Sequence, residues 1–279
     1  MRIAFWSAQR KAGTTFNMAA VACTAVMSYP VTAAVIAADY ENQDLENQFE
    51  SPVQVGNRWK QQDMAAEEDN YFLAAGLDFL LRKSGNTELT EQVIKANMRQ
   101  IAAEKLYCLP SGKRQYDKWW DKEDLFQKME QVIERLENYF EVVFIDCGCC
   151  KNDFTGRMLK QADVCVLNMP QESELIGAYY RSRIRLKGKV FFLVGKYFPE
   201  SVYSRQNLQK IYRLEEKELG AVPYNVHLQA AGLNGKTEKY VKNQLQNRCG
   251  LQFEQELKRS TQLIMQLAGI EVPEKLSYN

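Results

Sequence analysis

The chain has 279 residues, with 36 Lys and Arg against 35 Asp and Glu. That length suits one large α/β domain or two small ones and allows a sizeable core. The balanced charge removes any bulk electrostatic case for nucleic acid or an anionic membrane, and the single histidine, His227, excludes a multi-histidine metal centre and must serve any Ser–His or Cys–His chemistry.

No apolar run approaches the ~20 residues of a bilayer span. Gln9, Arg10 and Lys11 interrupt the N-terminal apolar run at once, so a signal peptide is not expected and a cytoplasmic location is. The cysteines are Cys23, Cys108, Cys147, Cys149, Cys150, Cys165 and Cys249. An odd number in a cytosolic chain argues for free thiols.

Taken in order, Ile3-Ala4-Phe5-Trp6 reads as a buried strand. Ser7 to Thr15 is polar and carries Gly13, and a helix rich in small residues follows through Asn17, Met18, Ala19 and Ala20. Strand, short loop and helix start form an anion-binding device, because the first N–H groups of a helix lack internal partners and the dipole there favours negative charge. A phosphate-binding loop has this layout and ends in Gly-Lys-Ser/Thr. Here the ending is Gly13-Thr14-Thr15, with Arg10, Lys11 and Ala12 before it.

Val31 to Ala38 is a second buried strand, with Asp39 at its C-terminal tip, where open parallel sheets bind ligands. Residues 40–70 read as loop and short helix. Tyr71 to Leu81 reads as a helix. Asn86 to Ala103 carries a helix-start signal at Thr87 to Glu91. Leu106 to Pro110 reads as a third strand. Ser111 to Asp124 is a charged loop holding Trp119 and Trp120, with the rings expected as anchors on the core.

Leu125, Met129, Val132, Ile133, Leu136 and Phe140 have helical spacing, so one face of that helix packs on the sheet. Val142 to Ile145 followed by Asp146 has the Walker B form, whose carboxylate holds Mg²⁺ beside phosphates. Cys147, Cys149 and Cys150 lack the paired spacing of a zinc site, and a small-residue loop is the simpler account. Ala162 to Leu167 and Lys189 to Val194 are further strands. Ser173 to Leu186 is a helix carrying Arg181, Arg183 and Arg185, which do not share one face. Glu215 begins a short helix that leads into Ala221-Val222-Pro223-Tyr224-Asn225. Leu251 to Ala268 is a last helix, with Phe253, Leu257, Ile264, Leu267 and Ala268 along one side. Unbroken apolar strands alternating with helices give an α/β fold: one domain over residues 1–279, three layers, a mostly parallel sheet with helices on both faces.

On these residues the chain resembles the ParA/MinD group of P-loop ATPases, nearest its divergent CpaE/TadZ-like pilus-localisation branch, over nearly the whole length. The family loop K-G-G-x-G-K-T, laid on without gaps, falls on Gln9 to Thr15, and Gly13 and Thr15 match. The family's signature lysine is Gln9 here and its Walker lysine is Thr14. Asp39 matches the second carboxylate of a D-x-D strand end, with Ala37 in place of the first. Val194-Gly195-Lys196-Tyr197 resembles V-N-R-Y, Ala221 to Asn225 resembles the I-P-Y-D segment, and Asn234-Gly235-Lys236 resembles N-E-G.

The resemblance implies phosphate binding by Arg10, Lys11, Ala12, Gly13, Thr14 and Thr15. It implies Mg²⁺ at Thr15 and Asp146, catalysis by Asp39 if the protein is active, and a base site at Gly195, Lys196, Pro223, Tyr224 and Asn225. It further implies ATP and Mg²⁺ as cofactors, a homodimer, a bacterial pilus or secretion partner, and recruitment to the membrane or cell pole. Without the Walker lysine, hydrolysis is expected to be weak or absent. The alternatives are an active ATPase switch compensated by Lys11 or Arg10, and a DNA partition factor. The neutral charge weighs against the latter.

Overall fold

The computed structural model describes residues 1–38, 44–51, 76–85, 89–111, 121–149, 153–172, 174–181, 186–247 and 251–271. Its centre is an eight-stranded sheet in the order β3-β4-β2-β5-β1-β6-β7-β8. The strands are β1 (Arg2–Ser7), β2 (Ala33–Ala37), β3 (Arg99–Ala102), β4 (Leu106–Leu109), β5 (Val142–Asp146), β6 (Val164–Pro170), β7 (Lys189–Tyr197) and β8 (Leu219–Pro223). All pairings are parallel except β3–β4.

Around the sheet lie α1 (Thr14–Ser28), α2 (Asp44–Asn47), α3 (Leu77–Lys83), α4 (Glu91–Ala96), α5 (Lys122–Tyr139), α6 (Asp153–Gln161), α7 (Leu175–Arg181), α8 (Arg205–Tyr212), α9 (Val226–Leu233), α10 (Thr237–Asn247) and α11 (Leu251–Leu267). Alternate strand residues feed opposite cores, as a period of two requires. Ile3, Phe5, Val142 and Phe144 pack with α1 and α11, whereas Ala4, Val143 and Ile145 pack with α3 and α5. The three-layer expectation therefore holds.

Helix α1 is buried at twelve of its fifteen residues, so it is an inner helix, apolar nearly all round. Its alanines let it approach the sheet closely, and α10 and α11 pack against it within the same core. Helix α5 shows the opposite pattern. Asp121 caps it by accepting from the N–H groups of Glu123 and Asp124, both at 2.8 Å, and Leu125, Met129, Val132, Ile133 and Leu136 are its buried face, as their spacing requires. In α11, Phe253, Leu257 and Ile264 are buried against the body, as is Ala268 just beyond it, while Leu267 is half-buried.

Three readings of the sequence change. The segment 86–103 is not one helix: Thr90 caps the short α4, and Arg99–Ala102 turns back as the antiparallel edge strand β3. The segment at Glu215 is a single 3₁₀ turn, Glu216–Glu218, rather than a short helix, and it runs directly into β8, a strand that the sequence reading does not include. The reason is packing. A Cβ on Gly220 would stand 2.5 Å from Ser260 Oγ on α11, so glycine lets α11 sit on the strand. Ser260 Oγ then accepts from Ala221 N–H and donates to Ala221 C=O, both at 2.8 Å. Finally, Thr14 rather than Asn17 opens α1. Trp119 and Trp120, and Arg183 and Arg185, lie outside the described residues.

Candidate functional site

The site lies where β1 ends. Ser7 closes the strand, and its hydroxyl donates to Gln9 C=O at 2.9 Å and accepts from Gln9 N–H at 3.1 Å, starting the turn. The loop then passes through two left-handed residues, Lys11 at φ 63° and Gly13 at φ 82°. Glycine adopts this conformation freely, while a lysine there is strained by about 1 kcal/mol or more. Gly13 is the N-cap of α1 and no side chain caps the helix. The first-turn N–H groups therefore face the loop as an anion cradle.

Gln9, Arg10 and Lys11 are exposed, whereas Ala12, Thr14 and Thr15 are buried. Lysine at Thr14 would be the point charge on a nucleotide's terminal phosphates; a threonine supplies a hydroxyl and no charge. The cradle fits a phosphate, and the charge complement of a phosphate-transfer site is missing from it.

Asp146 ends β5 beside β1, in register with Phe5. It is buried, and its Oδ1 accepts from Gly148 N–H at 2.9 Å. Gly148 C=O in turn accepts from Ser7 N–H at 3.0 Å. Asp146 is thus the pivot of a tight turn that ties β5 to the start of the loop after β1. Asp39 lies outside the described residues. The neighbouring Ala38 N–H donates to Asp146 C=O at 2.9 Å, which brings the end of β2 to this same edge. Among the described residues, no cluster of three His, Cys, Asp or Glu side chains could hold a metal ion, and Cys23, Cys108, Cys147, Cys149 and Cys165 are free thiols.

The second half of the site comes from β7 and β8. Gly195 meets the loop directly: a Cβ there would stand 2.4 Å from Ala12 C=O. The β7–β8 register breaks between Val194 and Tyr197, and Lys196, exposed at φ 51°, occupies the irregularity. Tyr224 N–H donates to Tyr197 C=O at 3.0 Å, holding the two loops together. Tyr224 stacks on Phe198, with centroids 5.4 Å apart and planes at 29°, and both rings are exposed. Pro223 is buried at the end of β8. Asn225 is committed to structure: its Oδ1 accepts from His227 N–H and Leu228 N–H at 2.9 Å, capping α9, and from Tyr240 OH at 3.0 Å.

Sequence reasoning missed three positioning residues. Asn17 Nδ2 donates to Asn168 Oδ1 at 3.0 Å, both side chains buried, pinning the first turn of α1 to β6. Gln171 donates to Phe198 C=O at 2.7 Å and to Tyr203 C=O at 3.1 Å, and accepts from Phe198 N–H at 3.0 Å. That holds the loop bearing Phe198. Single polar side chains at strand ends carry no periodic signal, so only tertiary pairing reveals them.

The basic stretch offers little to a phosphate backbone. Arg181 lies 3.9 Å from Glu174 in an exposed pair, and Lys189 donates to Leu267 C=O at 2.8 Å. No helix among the described residues is long and apolar enough to cross a membrane.

A mostly parallel sheet with a left-handed loop between its central strand and an inner helix is a P-loop NTPase-like α/β fold. Solved structures specify the fold further. A ParA family ATPase from Chlorobium tepidum TLS matches with a TM-score of 0.65 at 11% identity, over 93% of this chain and 96% of that one. The septum site-determining protein MinD complexed with Mg-ADP from Pyrococcus horikoshii OT3 matches with a TM-score of 0.55 at 13% identity, over 96% and 98%. A chain of the MinC:MinD cell division protein complex from Aquifex aeolicus matches with a TM-score of 0.62 at 14% identity, over 98% and 97%. The chain has the fold of the ParA/MinD ATPases. No protein-family model and no curated protein matches it.

Proposed function

We propose that this protein is a ParA/MinD-type scaffold that has kept the backbone cradle for a phosphate and lost the cation that drives chemistry. On this reading it binds ATP and Mg²⁺ weakly or not at all and does not turn ATP over at a useful rate. It acts as a homodimeric localisation or assembly factor for a bacterial pilus or secretion system, in the manner of the CpaE/TadZ-like branch that its sequence resembles.

The observation that carries the reading is Thr14, buried in the first turn of α1 where the motif has lysine. Two changes around it agree. The family glycine position preceding Ala12 is Lys11, and the family asparagine position on β7 is Gly195, against which the loop rests. The test is calorimetric titration of the purified chain with ATP and Mg²⁺, with phosphate release measured in parallel. Affinity weaker than about 100 μM without turnover is the expected result. Micromolar affinity with turnover overturns it.

One observation favours a second reading, an active switch. Arg10 and Lys11 are exposed on the loop itself and have no ion-pair partner among the described residues. Turnover that falls on Lys11→Ala and on Asp146→Ala would establish that reading.

A further inference from the structure

Among the described residues, the exposed large hydrophobic side chains, Met1 apart, all lie between residues 180 and 233. Five of them gather at the C-terminal ends of β7 and β8. Phe198 stacks on Tyr224. Val202 and Tyr203 belong to the same loop as Phe198, and Val226 opens α9 two residues after Tyr224. Val202 is 78% exposed and Phe198 51%. Exposed apolar residues are ordinary when scattered singly, whereas a cluster marks a contact surface.

The backbone under the cluster is fixed. Gln171 Nε2 donates to both Phe198 C=O and Tyr203 C=O, so the two ends of the loop are drawn to one buried side chain. Ser201 N–H donates to Phe198 C=O at 3.2 Å, and Tyr203 N–H to Ser201 Oγ at 3.1 Å. Asn207 Nδ2 donates to Val202 C=O at 2.7 Å, and Arg205 N–H to Tyr197 OH at 3.1 Å. A loop tied in this way loses little backbone freedom when its apolar side chains are covered.

Two quantities select the occupant. The five side chains together leave roughly 500 Å² in water. One side of a standard interface is about 800 Å², and about 65% of it is apolar between identical subunits, so the cluster alone supplies that apolar share. The formal net charge is +1, so two copies of the chain approach without long-range repulsion.

We propose that two copies of this chain associate through this patch without nucleotide, about a two-fold axis that packs the Phe198–Tyr224 stack, Val202, Tyr203 and Val226 of one copy against the same residues of the other. The inference rests on the homodimeric reading and assigns its contact face. Because Tyr224 N–H binds Tyr197 C=O and Gly195 lies against Ala12 C=O, the contact braces the strand ends that meet the loop after β1. The rim carries exposed charges of both signs, Glu200 and Lys196, with Arg10 and Lys11 beyond Gly195. Salt screens these and leaves apolar association in place.

Sedimentation equilibrium of the full chain without nucleotide, from about 1 to about 200 μM and in low and high salt, is the test. A reversible dimer with a Kd on the order of 10 μM is expected, kept in high salt. Phe198→Ser with Tyr224→Ser should weaken it roughly tenfold or more. Ile211→Ser, at a comparably exposed residue further along α8, should leave it unchanged. Melting curves matching the parent's confirm that the variants fold. Hydrogen exchange of the unsubstituted chain gives a reading free of substitutions: amides of residues 198–203 and 224–228 should slow as concentration rises. A monomer at every concentration, a dimer that high salt dissolves, or one that the paired substitution leaves intact would each overturn the proposal. A dimer protected at other residues overturns this face and leaves the homodimer standing, and titration with ATP decides the nucleotide reading separately.

Discussion

A Cβ on Gly195 would lie 2.4 Å from the carbonyl oxygen of Ala12 and 2.8 Å from Asn17 Nδ2. The end of β7 and the phosphate-type loop are therefore in direct contact, and that contact tolerates only glycine. Gly195→Ala should force the loop away from β7 and destabilise the protein by about 1–3 kcal/mol through overpacking. Urea denaturation measures it. An unchanged midpoint would mean that the loop moves freely and that the contact imposes nothing on it.

Restoring the cation is the direct functional probe. Thr14→Lys places a charged donor at the helix start, where such contacts are each worth ~1.5–3 kcal/mol. Affinity for ATP with Mg²⁺ should rise roughly tenfold or more. If it does not, the cradle itself is no longer a phosphate site.

The Asn17–Asn168 bond is buried on both sides. Removing one amide leaves the other unpaired, so Asn17→Ala or Asn168→Ala should each cost about 1–3 kcal/mol. The double variant should cost less than the sum. Additive losses would show that the two amides act separately.

Arg2 bridges Glu130 and Glu137 at the start of β1, with the Glu137 bond at 2.6 Å. Burial opposes its charge, yet the hydrogen bonds to both carboxylates hold its pKa above the ordinary arginine value. Arg2→Met strands the half-buried Glu130 and leaves Glu137 only the N-terminal ammonium, 3.3 Å away, at a cost of about 3 kcal/mol at neutral pH. Thermal melts of the parent and the variant at pH 7 measure the loss, and an unchanged melting temperature would show that the bridge contributes nothing.

Thiol reactivity should be strongly ordered. Burial, aided by Asp163, pushes Cys165 up to about 12, so almost none of it is thiolate at pH 8. Cys149 is only half-buried. Of these two, iodoacetamide at pH 8 should modify Cys149 first, and raising the pH to 9 should leave Cys165 unmodified while the protein stays folded. Peptide mass mapping reads the order.

Much of the architecture was legible in the chain. Val142 to Ile145 is unbroken and apolar because it is buried on both faces. The face of α5 could be read off because one side of it meets the sheet and the other meets water. The edge strands were not legible. Arg99–Ala102 is half-exposed and lacks clean alternation, and β8 contains a glycine whose purpose is Ser260, forty residues further on.

The residues of the site divide in the same way. Gly13, Thr14 and Thr15 after a strand can be read as a phosphate-type loop without its lysine, because that pattern is local in the chain. Which residues position the loop is another matter. That Lys11 is held left-handed, that Asn17 meets Asn168, and that Gly195 gives way to Ala12 depend on contacts between segments more than 150 residues apart or on a backbone twist lysine does not favour. Composition and spacing determined the kind of fold and the missing charge. Only close packing of distant strands decided how the loop is held, because steric exclusion acts between neighbours in space, which the order of residues does not specify.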